Sequence, residues 1–393
     1  MTLDLLREKG IPPERQVFTW RELAGPPYSK LDDDAYTRVR VLLMSAIEAE
    51  AVRFSHACAR MSRDLRRPLA LIRRAEQHQQ TLASWLTPPD QSPLETTIAL
   101  EQAAIEVTAS VAQSEPDQHL AAAYRLSLID HVDHLYRLAA LMDRVEGKDA
   151  NAILQSYTEI RPGRPTASSH RHPHDDVREP YDRARARPVS KLNALTMLAG
   201  EHQARDRYMA VGPELADPVA RGLCAEIASV AEQHVTGCES LLDPDETLLE
   251  RWLLHEACEV YGYWCCLEQE PNPHIQKIWD RFLAYELGHL QFVMDLMKRI
   301  ERRDPAELLP RSLPAPIRFD SQRAFIRRVL DEEVHLRARG GELVAPDQES
   351  SETIEAREQL GSEGVPSEIV AAGYRWRPGS ELVERAGAEG MIL

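Results

Sequence analysis

Acid and imidazole side chains recur in this chain at places where several of them could bind one cation. Glu48 matches Glu201, His78 matches His234, Glu101 matches Glu256, His131 matches Glu286 and His134 matches His289. The pairs come from a duplication. LIDHVDHLYRLAALMDRVEGKD at 128–149 aligns with LAYELGHLQFVMDLMKRIERRD at 283–304, with eight of twenty-two positions identical and a constant offset (289 − 134 = 155). Upstream, AEQH at 75–78 recurs as AEQH at 231–234. A fixed period marks a repeated structural unit. Carboxylate and imidazole donors without thiolate suit iron or manganese better than structural zinc.

The elements that must position these residues read as helices. Stretches rich in Ala, Leu, Glu, Arg and Gln carry apolar residues at three- and four-residue steps. The spacing predicts helices at about 33–61, 63–87, 93–114 and 117–147, then again at 189–211, 216–243, 246–269 and 273–303. No alternating strand pattern stands out. The chain divides into an N-terminal arm (1–32) with several prolines, a first helical repeat (33–149), a Pro-, Arg- and His-rich connection (150–188), a second repeat (189–304) and a C-terminal extension (305–393). The connection is either functional or disordered by its length. The extension carries one helix at 320–339, followed by an acidic stretch expected to pack loosely.

Each candidate ligand falls on the apolar stripe of its helix. Glu48 lies between Met44 and Val52, Glu101 with Ile98 and Ile105, and Glu256 with Leu253 and Val260. His78 shares a face with Leu71, Leu82 and Trp85, and His234 with Ile227 and Val230. Glu286 and His289 stand at i and i+3 and project together. Ionised carboxylates on a core stripe are costly unless paired or bound to a cation. A metal ion resolves both their burial and their mutual repulsion. The bland alternative is a hydrogen-bonded network of core polar residues.

Glu on one helix, Glu-x-x-His on the next, and the same again resembles the ferritin-like di-iron and di-manganese carboxylate proteins. The resemblance covers about 40–150 and 190–304. It implies an all-α fold of two tandem ferritin-like four-helix bundles packed side by side. In the second repeat Glu201 and Glu256 would be terminal ligands, Glu286 bridging, and His234 and His289 nitrogen ligands. In the first, Glu48 and Glu101 would be terminal, with His78 and His134 as nitrogen ligands and His131 at the bridging place. The chain departs from the family pattern at Ala75 and Ala231, which stand three residues before His78 and His234. Glu76 and Glu232 are expected to point about 100° away from the site on a regular helix. These departures leave nuclearity open, and the second repeat is the better candidate.

Composition sets the remaining bounds. The net charge of −16 argues against nucleic acid or an anionic membrane as partner. No apolar run reaches the length of a membrane span. The six cysteines lack CxxC spacing and read as reduced thiols, so a cytoplasmic location is expected. Glu332-x-x-His335 reads as a solvated face. The cluster of His170, His172, His174, Asp175 and Asp176 reads as a salt-bridged connection. Two function classes stay open. One is an iron- or manganese-dependent oxidoreductase that uses O2 or peroxide on a small molecule. The other is a degenerate ferritin-like scaffold or binding protein without catalysis, with metal storage a weaker third. A homodimer is compatible with either.

Overall fold

The computed structural model describes residues 3–28 and 34–377. Eight long helices form its body: α1 (Ala35–Met61), α2 (Arg66–Trp85), α3 (Pro93–Ser114), α4 (Gln118–Glu146), α5 (Pro188–Val211), α6 (Pro218–Ser240), α7 (Leu248–Gln269) and α8 (Pro273–Ile300). Their ends follow local chemistry. Ser92 and Glu95 make a capping box on α3, and Thr247 and Glu250 make the same box on α7. Asp117 caps α4 and Asn272 caps α8. Each of these pairs is separated by 155 residues (247 − 92, 250 − 95, 272 − 117), so the duplication extends to the helix starts.

Short turns fold the helices into four hairpins, α1–α2, α3–α4, α5–α6 and α7–α8. The hairpins do not assemble only within each repeat. Helix α1 packs on α7, while α3 packs on α5 and α4 on α6. The first and last hairpins therefore make one four-helix set, and the two middle hairpins make the other. The expectation of one bundle per repeat is corrected by this exchange. Its physical origin is a central layer: α1 and α5 each contact α3 and α7, and α1 also contacts α5. Together these four bury a continuous apolar core that includes Val41, Met44, Ile98, Ile105, Leu253 and Val260.

The remaining segments are better anchored than their composition suggests. In the connection, Arg164 pairs with Asp130 at 2.8 Å, and Thr166 and Ser169 donate to Asp133 and Asp130. Arg171 pairs with Asp176, and His174 is exposed, as expected of a salt-bridged strand of chain. The extension contributes α9 (Arg323–Glu333), a two-stranded hairpin that sequence pattern did not reveal, β1 (Arg337–Arg339) with β2 (Glu342–Val344), and helices α10 (Ser351–Gly361) and α11 (Pro366–Ala371). Loose packing is corrected over its described part: α11 lies on α4 and α6, and Ser367 donates twice to Glu226 at 2.8 Å. The rest of that stretch, 378–393, lies outside the described residues, as do residues 1–2 and 29–32 of the expected N-terminal arm and residue 33 of the first repeat. Glu332 and His335 are exposed. No helix among the described residues is long and apolar enough to cross a membrane.

Candidate metal centres

The exchange of hairpins sorts the acids and imidazoles into two buried clusters, each drawing on both repeats. The first lies among α1, α2, α7 and α8. It gathers Glu48, Glu76, Glu256, Glu259, Glu286 and His289, none more than 2% exposed. The donors around it are few. Gln79 donates to Glu48 at 3.1 Å and to Glu286 at 2.6 Å, Trp252 donates to Glu256 at 2.6 Å, and the Tyr263 hydroxyl donates to Glu48. His289 Nδ1 lies 2.9 Å from Glu286 and 3.7 Å from Glu256.

Five carboxylates face one imidazole, and several oxygens have no partner: Oε2 of Glu48, Glu76 and Glu256, and both oxygens of Glu259. Buried polar atoms are nearly always satisfied, so such a set needs either protons or cations. Without a cation, burial and neighbouring carboxylates push Glu48, Glu256 and Glu259 well above the usual carboxylate range. Burial pushes Glu76 up to about 8, partly offset by His289. Burial opposes protonation of His289, but Glu286 beside it raises its pKa. The ligand atoms fall into two adjacent triads, Glu76 with Glu256 and His289, and Glu48 with Glu259 and Glu286, each within 4.8 Å. Each of these two carboxylate-rich triads could hold a metal ion.

The outer edge of this cluster is closed by the N-terminal arm. Gln16 accepts from His289 Nε2 at 2.7 Å and donates to the carbonyls of Ile11 and Tyr285. The arm lies so close to α8 that a Cβ on Gly288 would sit 1.9 Å from the Ile11 oxygen. Gln16 thereby fixes the ring with Nδ1 turned toward Glu286 and Glu256. Gln16→Leu should weaken manganese affinity about 10- to 100-fold, read by competition with a chelating dye. Unchanged affinity would deny Gln16 this role.

The second cluster lies among α3, α4, α5 and α6. His131 bridges two acids, with Nδ1 2.9 Å from Glu101 and Nε2 3.3 Å from Glu201. Tyr208 and Ser127 donate to Glu101 and Glu201. His234 Nε2 lies 3.1 Å from Asp130, off the hydrogen-bonding line. Here charge is balanced internally. Burial opposes ionisation of His131, yet Glu201 and Glu101 raise it well above the usual imidazole range. In return His131 draws Glu101 down and Glu201 down to about 2. Asp130 is held below the usual range against burial by Arg164 and His234. His134 is the exception: burial pushes it down to about 4, and neither ring nitrogen has a hydrogen-bond partner. Glu101, His131 and His134 offer one triad for a single ion.

These placements revise the sequence reading residue by residue. Glu48, Glu256, Glu286 and His289 meet in the first cluster, and Glu101, His131, His134, Glu201 and His234 meet in the second. The division into a first-repeat set and a second-repeat set does not hold. His78 belongs to neither cluster. It is half-buried against Phe18, 5.2 Å between rings, on a face shared with Leu71 and Trp85, which are 38% and 58% exposed. The inward stripe of α2 is Leu69, Ile72, Glu76, Gln79 and Ala83, without helix distortion. The matching AEQH tetrapeptides mislead by one residue: at the constant offset of 155, Glu76 stands opposite Ala231 and Gln79 opposite His234. Glu232, by contrast, is exposed and pairs with Arg205 at 2.9 Å. Glu259 and Asp130 were missed, although Glu259 stands three residues after Glu256 on the same helix. Comparison of the chain with protein-family models, with curated proteins and with solved structures returns no match in any of the three.

Proposed function

We propose that the protein is a non-haem oxidoreductase whose α1–α2–α7–α8 cluster holds two iron or manganese ions. On this reading the two four-helix sets are ferritin-like units of unequal chemistry. The observation that carries it is the row of partnerless oxygens on Glu48, Glu76, Glu256 and Glu259 in a fully buried site. When bound, the metal pair would supply electrons to O2 or peroxide and an open coordination position for it.

The chain's own residues do the rest. Glu48, Glu76, Glu256, Glu259 and Glu286 lower the charge of the site and favour the higher oxidation state. Gln79 holds Glu48 and Glu286 in register, and Trp252 orients Glu256. The Tyr263 hydroxyl donates to Glu48. The arm around Gln16 excludes bulk water.

The second cluster supports the non-catalytic reading, and it does so on one observation: His131 already stands as the cation between Glu101 and Glu201. It fits a structural or single-ion role.

Metal analysis after expression in iron- or manganese-supplemented medium tests the assignment. The expected result is about two ions per chain, lost in Glu286→Ala and retained in His134→Ala, with an absorption change when the reduced protein meets O2. Full occupancy in Glu286→Ala, or less than about a tenth of an ion in the unaltered protein, would overturn it.

A further inference from the structure

The duplicated fold creates two equivalent clefts between the four-helix sets, and their differences identify what one of them binds. The first, about 390 Å3, opens among α1, α5, α6 and α7. The second, about 370 Å3, opens among α1, α2, α3 and α5. The repeat relates them position by position: His255 stands where Leu100 stands, Arg251 where Thr96 stands and Leu242 where Thr87 stands, all at an offset of 155. At an offset of 153, Leu198 faces the first cleft where Ser45 faces the second. At these four positions the first cleft carries an imidazole, a guanidinium and two leucines where its twin carries a leucine, two threonines and a serine.

Those donors are unspent. His255 is 8% exposed, stacks on Phe54 at 4.2 Å between rings, and makes no hydrogen bond within the described residues. Arg251 Nε is buried without a partner, its Nη2 alone reaching the carbonyls of Asp243 and Pro244. The carboxylates of the cleft are already engaged. Glu50 is held by His202 and Arg53, both at 2.7 Å, and Glu246 by Lys191 at 3.1 Å and Tyr181 at 3.0 Å. Glu239 stands exposed at the rim.

The geometry points to a binding site for a monocarboxylic acid with an apolar body, its carboxylate received by Arg251 and His255 and its body laid against Phe54, Leu195, Leu198 and Leu242. A guanidinium and an imidazole beside an apolar wall recognise the two ends of such a molecule differently. His255 directly precedes Glu256 of the first metal cluster, so the cleft and the cluster lie on neighbouring faces of α7; a role for the bound acid as substrate of the proposed oxidoreductase rests on the proposed function, whereas the binding does not.

Octanoate is the probe, measured by equilibrium dialysis against the full-length protein with and without added manganese. One saturable site is expected, with affinity weakened about tenfold or more by Arg251→Thr and by His255→Leu, the residues that the twin cleft carries and the fold accommodates. Octanol should not compete, and Thr96→Ala should bind octanoate as the unaltered protein does. No saturable uptake, uptake by both cleft variants equal to that of the unaltered protein, or equal binding of octanol would overturn the site. Octanoate binding that persists in a protein unable to retain metal would leave the cleft intact and sink only the oxidoreductase reading.

Discussion

Stripped of metal, the protein should lose stability as pH rises from about 4.5 to about 8, the opposite of what a chain rich in salt-bridged carboxylates shows. Glu76 carries the sign. Its pKa is about 8 in the fold against 4.5 as a reference, so between these values the folded state binds more protons than the unfolded state. The Glu76 contribution is therefore full below the lower value and declines until the folded pKa is passed, while His134 and His255, both pushed down to about 4 by burial, act in the opposite direction up to about 6.5. The contribution of Glu76 is on the order of 4 kcal/mol, and Glu48, Glu256 and Glu259 act in the same direction. Adding manganese or ferrous iron should reverse the trend, because the cation replaces the protons and releases them. Urea unfolding of chelator-treated protein at about pH 5 and about pH 8 reads the first part. Calorimetric titration of metal in buffers of different ionisation enthalpy reads the second. A flat pH profile without metal, or metal uptake with no proton release, would show that these acids are not held as described.

His131→Leu should be among the most damaging single substitutions, at about 3–5 kcal/mol. The side chain is buried between Glu101 and Glu201, and its removal leaves two carboxylates facing each other without their cation. If uncompensated charge is the cause, adding Glu101→Gln and Glu201→Gln to His131→Leu should recover more than half the loss. Chemical unfolding of the single and triple variants measures both. A loss below about 1 kcal/mol, or a triple variant no better than the single one, would mean that packing rather than charge governs this site.

Much of this architecture was legible in the sequence, and the parts that were not have physical reasons. Helical periodicity and caps are local, so all eight long helices lie within a few residues of their expected spans. The candidate acids and imidazoles on α1, α3, α4, α5, α7 and α8 are buried because each sits on its apolar stripe. Periodicity says which face turns inward but not which hairpin it will meet, so the exchange between repeats was hidden. The error at His78 was avoidable. Its supposed stripe includes Leu71 and Trp85, yet the alternative stripe through Leu69, Ile72, Glu76, Gln79 and Ala83 keeps the same three- and four-residue steps. A four-letter identity outweighed the constant offset. The unpaired donors of the Arg251 cleft were invisible because nothing local shows that a side chain lacks a partner.

The crossing of hairpins between repeats has a consequence for how the molecule comes into being. Glu48 and Glu76 leave the ribosome long before Glu256, Glu259, Glu286 and His289, which complete their triads. A nascent chain therefore cannot assemble either triad of the acidic cluster while it is half made. The cluster is complete only once the final hairpin is in place.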